Sequence, residues 1–163
     1  MIPVSEIMTR MIAYPGNTRH DIEHLVKVWA YARTIGQQEG LDDDALYALE
    51  VAAIVHDMAC PALRARTGSC NGKLQESEGA PMAAAFLKAL GVDGETVDRV
   101  SFLVGHHHTF TGVDGPDWQI LLEADYLVNA NESGYSDENI RGFADRICRT
   151  AAGRALFKSI YHV

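Results

Sequence analysis

The chain has 163 residues, a formal net charge of -8 with its 7 histidines neutral, and 47% apolar residues, enough for one domain with a real core. The acidic balance and the lack of a strong basic run exclude a phosphate-tracking surface for nucleic-acid polymers, and no stretch nears the ~18 uninterrupted apolar residues of a membrane span. The first residues lack a basic-then-apolar leader, and Cys60, Cys70 and Cys148 are widely spaced without a Cys-x-x-Cys, so a reducing, cytoplasmic setting is expected, with neither a disulfide framework nor a thiolate zinc site.

In chain order, residues 3–13 read as a short helix closed by Pro15-Gly16. The spacing predicts a long helix over 18–39, with Leu25, Val28, Ala32 and Ile35 on one stripe and Gly40 at its end. Asp42 is the expected N-cap of the next helix, with Leu41 and Leu46 as a hydrophobic staple; that helix runs to His56-Asp57, before Pro61. Residues 61–79 hold Gly68, Gly72 and Gly79 with little periodicity, and read as the longest irregular stretch. Helix resumes over 80–90 and again over 93–106, and 112–115 is a turn. Pro116 opens a helix through Trp118, Leu121, Leu122, Asp125 and Val128. Ser136 caps the next, stapled by Tyr135 and Ile140, and a last helix carries Phe157, Ile160 and Tyr161. No period-2 strand stands out. The expectation is one all-α domain over 1–163, with roughly seven to nine helices.

Three of these helices point ligand-type side chains inward. Leu46, Leu49, Ala53 and His56 share a helix face, so burying that face carries His56 inward with Asp57 beside it. His24 shares the face of Val28 and Ala32, and Asp125 that of Leu121, Leu122 and Val128. Buried carboxylates are rarely left unpaired, and no Lys or Arg shares these faces. One divalent cation bound by His24, His56, Asp57 and Asp125 accounts for all four, since imidazole and carboxylate suit Mn, Fe, Ni, Mg or Zn. His20-Asp21 is also a His-Asp dipeptide, but it opens its helix without an apolar run and reads as a surface or capping pair. His106-His107-His108 closes a helix, and three adjacent histidines cannot face one way. His107 lies under Val100 and Val104, His106 under Leu103, and His108 tops neither row. Arg64, Arg66 and Lys73 form a basic island suited to phosphate, or else a solvated loop. Glu78 is an acid/base or ligand candidate, or else an ordinary first-turn helix carboxylate.

A single His, then His-Asp after an apolar helix, then an Asp in a later helix resembles the HD superfamily of metal-dependent phosphohydrolases. The matching residues are His24 in Asp-Ile-Glu-His-Leu-Val-Lys-Val, His56-Asp57, and Asp125 in Leu-Leu-Glu-Ala-Asp-Tyr-Leu, and the likeness covers residues 18–129. It implies a helical HD-domain fold with His24, His56, Asp57 and Asp125 as ligands of a divalent metal. Some members bind a second ion through histidines at the end of a middle helix, which His106 and His107 resemble. Those members also use a histidine soon after the His-Asp loop, where this chain has Glu76 and Glu78 and no His. Gly72-Lys73-Leu74-Gln75-Glu76, Gly105-His106-His107-His108-Thr109 and Asp114-Gly115 look like stretches of a subset of uncharacterised bacterial HD proteins.

The implied reaction is hydrolysis of a phosphate ester or anhydride, with a nucleotide or other small phosphorylated molecule as substrate. Asp57 would be both ligand and proton acceptor, and His106, His107 or Lys73 would stabilise the phosphoryl oxygens. Two rivals remain on sequence: a di-iron oxygenase, which HD-type folds also host, and a non-catalytic metal or nucleotide-binding regulator.

Overall fold

The fold begins from caps. Asp42 accepts a hydrogen bond from the Ala45 N–H at 2.8 Å, and Asp43 and Asp44 follow in the first turn, where the helix dipole favours negative charge. The helix that follows is so apolar that every residue from 47 to 55 is buried, and it becomes the centre of the molecule. The computed structural model describes residues 1–163 and contains nine α-helices and no strand. They are α1 (Val4–Ile12), α2 (Arg19–Gln38), α3 (Asp43–Val55), α4 (Cys60–Thr67), α5 (Gly72–Leu90), α6 (Gly94–Val104), α7 (Pro116–Glu132), α8 (Asp137–Arg146) and α9 (Ala151–Tyr161).

Helix α3 packs against α1, α2, α6 and α7, while α5 lies on α6 and α9 closes against α7 and α8. Its alanines at 48, 52 and 53 let the neighbours approach closely, and the buried Glu50 is neutralised by Arg33 Nη1 at 2.7 Å and held by Trp29 Nε1 at 2.8 Å. Helix α2 starts in a reciprocal box: Thr18 accepts from the Asp21 N–H, and the Asp21 carboxylate accepts from the Thr18 N–H. Helix α7 buries twelve residues, Asp125 among them, between α2 and α3.

Two expectations are corrected here. Residues 61–79 are mostly helical: Pro61 sits in the first turn of α4, where its missing N–H costs nothing, Gly68 ends α4 at φ 78°, and Asn71 caps α5 through the Lys73 and Leu74 N–H groups. The glycines that hid the periodicity permit close approach; a Cβ at Gly79 would lie 3.1 Å from Val104 Cγ1 and 3.7 Å from the His56 carbonyl. The second correction concerns the cysteines. The short α4 turns the chain back so that Cys60 and Cys70, Cα atoms 5.3 Å apart, are joined by a disulfide, and only Cys148 is free. Wide spacing in sequence therefore did not keep them apart, and the cysteine pattern no longer argues for a reducing compartment.

Candidate metal centre

Where α3 ends, the chain turns through residues 56–59, and this turn meets His24 of α2, Asp125 of α7 and the His107 ring that follows α6. His24 comes from the buried face of α2, His56 and Asp57 from the turn, and Asp125 from the middle of α7. The exposure of His24 is 5%, of His56 0% and of Asp125 5%, whereas the Asp57 side chain keeps 32%, so the site opens to solvent past Asp57.

The two histidine rings meet each other and both carboxylates. His24 Nε2 lies 3.2 Å from His56 Nε2, 3.2 Å from Asp125 Oδ1 and 3.4 Å from Asp57 Oδ2. His56 Nε2 lies 3.4 Å from Asp125 Oδ1 and 3.5 Å from Asp57 Oδ2. Ligands about 2.1 Å from a shared cation are spaced about 3.0 Å apart on an octahedral edge and about 3.4 Å on a tetrahedral one, the spacing the two histidines make with each other and with each carboxylate. His24, His56 and Asp57 are mutually close enough to hold one divalent ion, and Asp125 reaches it from the side of the two histidines. The outer nitrogens agree. His24 Nδ1 faces Glu132 Oε2 at 2.8 Å, and His56 Nδ1 faces the Ala53 carbonyl at 2.8 Å. Each acceptor fixes a proton on Nδ1 and leaves the Nε2 lone pair for the centre.

Without a cation the same crowding of carboxylates is answered by protons. Burial opposes charge on His24, but the hydrogen bond to Asp125 and the nearby Asp57 outweigh it, and its pKa is pushed up to about 10. Burial likewise opposes ionised Asp57 and Asp125, yet His56 and His107 hold Asp57, and His24 and His56 hold Asp125, well below the usual carboxylate range.

His107 completes the wall. Its Nδ1 donates to the Val104 carbonyl at 2.6 Å, and its Nε2 faces two acceptors, Gln75 Oε1 at 3.1 Å and Asp57 Oδ1 at 3.3 Å. Both nitrogens thus face oxygen, the environment of an imidazolium, and despite burial the hydrogen bond to Asp57 raises its pKa. His108 Nε2 shares the Gln75 Oε1 acceptor, and Asp57, His107 and His108 form a second group of donors close enough for an ion. Burial and the adjacent His107 lower the pKa of His108.

The structure brings His24, His56, Asp57, Asp125 and His107 together and leaves other expected residues outside. Helix α6 ends at Val104, so its phase does not continue through the histidines. His106 turns away: its Nδ1 donates to the Phe102 carbonyl, and its ring stacks on Phe102 with centroids 4.1 Å apart. His108, which tops neither apolar row of the helix before it, turns in. Lys73 is exposed at the start of α5. Glu78 pairs with Arg66 at 2.6 Å, and Arg64 pairs with Asp21, so the basic island ties α4 to α5 and α2. His20 is 68% exposed.

Two site residues were not foreseen. Glu132 is 9% exposed and also receives Lys27 Nζ at 3.2 Å. Its signal was legible: Asp125, Asn129 and Glu132 stand at i, i+4 and i+7 on α7, and Asn129 Nδ2 donates to Asp125 Oδ1 at 2.9 Å. Gln75 had no such signal, because a stretch read as irregular has no face.

Residues 21–130 match the sequence model of a family described as HD domain. None of the curated proteins matches. The fold is similar to the crystal structure of a predicted HD superfamily hydrolase from an uncultured Thermotogales bacterium, with 25% sequence identity and a TM-score of 0.68 over 98% of this chain and 83% of that one.

Proposed function

The chain belongs to the HD-domain family, and on that premise we propose that it is a metal-dependent phosphohydrolase acting on a phosphate ester or anhydride, with a nucleotide or other small phosphorylated molecule as substrate. The observation that carries the reading is the convergence of His24, His56, Asp57 and Asp125 from three parts of the chain, with the two histidine nitrogens 3.2–3.5 Å from each other and from both carboxylates and a cationic environment at His107 beside them. The structural relative, a predicted hydrolase, supports the same class.

His24, His56, Asp57 and Asp125 would hold the divalent cation, which when bound supplies Lewis acidity and makes water acidic enough to attack near neutral pH. Asp57 turns Oδ2 toward His24 and His56 and leaves Oδ1 toward His107, so Oδ1 is placed to take a proton from the attacking water. His107, both of whose ring nitrogens face oxygen, would set an imidazolium's positive charge beside the phosphoryl oxygens as charge develops on them, and Gln75 Oε1 tethers it and His108. Glu132 holds the His24 ring in place.

The test is elemental analysis of the purified protein, then phosphatase assays of the metal-stripped protein reloaded with Mn, Ni, Mg, Zn or Fe. Metal-dependent release of phosphate from a small phosphate ester or anhydride is expected. Two irons per chain with oxygen consumption and no phosphate release would replace this reading with the oxygenase.

A further inference from the structure

Next to Asp125 lies a cavity of about 280 Å³ whose character the metal ligands alone do not explain. Its inner end is formed by Asp125, His108 and Asn129, and its outer walls by Phe110, Tyr126 and Tyr135. Phe110 is 41% exposed and Tyr135 38%, among the few large apolar side chains left open to water. Tyr126 is fixed by face-to-face stacking on Phe143, with centroids 3.6 Å apart and planes 10° apart, and Phe110 meets Phe143 edge-on. The rings thus form a braced aromatic wall leading to a metal ligand. No Lys or Arg lines the cavity, and the neighbouring first turn of α8 carries Asp137 and Glu138. Exposed rings beside a phosphate site gain from a flat apolar partner, whereas a cavity lined by a carboxylate and no lysine or arginine offers the added charge of a polyanion no partner.

We infer that the ligand of this site is a phosphomonoester whose organic part is one planar, uncharged ring, seated against Phe110, Tyr126 and Tyr135, and that polyphosphates are excluded. The inference rests on the phosphohydrolase reading and narrows it. The phosphate faces the cluster over Asp125 and His108, the ring lies on the aromatic wall, and the Asn129 side chain borders both. An elongated phosphate chain has no cation in this cavity to receive its added charge.

The test uses ligands that cannot be hydrolysed, so binding is read apart from turnover. Phenylphosphonate, methylphosphonate, and the same phenyl ring carried on methylenediphosphonate are titrated calorimetrically into manganese-loaded protein. Phenylphosphonate should bind at least about 10-fold tighter than methylphosphonate, and the diphosphonate no tighter than phenylphosphonate. Tyr135→Ala and Phe110→Ala, both surface changes, should each weaken phenylphosphonate by roughly 5- to 150-fold and leave methylphosphonate unchanged. Circular dichroism confirms that each variant is folded. Equal binding of the two phosphonates, tighter binding of the diphosphonate, or equal losses for both ligands in the variants overturns this inference alone. If neither phosphonate binds while manganese remains in place, the phosphohydrolase reading falls with it.

Discussion

One hydrogen bond, from His24 Nδ1 to Glu132, decides which nitrogen of His24 is left for the metal centre. Removing the acceptor's charge while keeping its shape should loosen the ring without unfolding α7. Glu132→Gln is therefore expected to weaken metal affinity about 10- to 100-fold, read by competition with a chelator, while Glu132→Asp recovers part of it. In contrast, His20→Ala should leave metal content within about twofold of the parent, because its ring is a surface neighbour of Glu132 and no ligand. The histidine run divides by direction rather than by number. His107→Ala and His108→Ala should each lose on the order of 10²-fold in turnover while keeping the first metal, and His106→Ala should cost stability more than rate, since its ring packs on Phe102 and Trp118. A kcat loss confined to His106 would reverse that assignment.

Charge at the same residues sets how the metal-stripped protein responds to pH. His24 titrates near 10 in the fold against 6.5 when free, so its stabilisation is complete below about pH 6.5 and fades as the pH climbs toward 10. Asp57 and Asp125 are held below their free value of 3.8, so theirs is present above that value and is lost as the pH falls further. Protein stripped with a chelator should then melt at a higher temperature near about pH 5.5 than near about pH 9. A melting temperature that rises across that interval would contradict the pairing described for His24.

At the scale of helices, the ends carry the specificity. Thr150 caps α9, and the fully buried Glu123 of α7 accepts from the Arg149 and Thr150 N–H groups, the Thr150 hydroxyl and Gln119 Nε2. Glu123→Ala would leave several buried donors without an acceptor and should destabilise the protein by about 3 kcal/mol or more, measured by chemical denaturation. The caps at Thr18, Asp42, Asp93 and Ser136 occupy sequence positions where an N-cap residue precedes an apolar run, and that is why most of the helices were legible. The four residues meeting at the centre were legible for the same reason, as polar groups on otherwise apolar faces. What escaped were segments whose phase is not helical throughout. The helix before the histidines stops at Val104, so counting onward at 3.6 residues per turn put His106 inside and His108 outside. Glycines and an internal Pro81 disguised α5, and Gln75 with it.

For the whole molecule, the weight of the fold falls on α3, whose own end supplies His56 and Asp57 and whose neighbours α2 and α7 supply His24 and Asp125, while α4 and the start of α5 are tied down separately by the Cys60–Cys70 bridge. With a sequence separation of 10, that bridge closes a loop whose cross-link is worth about 2.5–3 kcal/mol. Reduction, or Cys60→Ser with Cys70→Ser, should lower the melting temperature of the protein by several degrees in a calorimetric scan. The bridge also reaches the centre: Gln75 Nε2 donates to the Cys70 carbonyl at 3.1 Å and rests on Cys70 Sγ at 2.8 Å, while its Oε1 holds His107 and His108. Thiol reductants added by habit to keep a metalloprotein from oxidising would therefore make a different sample of this one. They would slacken the tether behind two histidines and free a soft sulfur ligand against the Gln75 that holds them, so a metal count taken in dithiothreitol and one taken without it describe two different proteins.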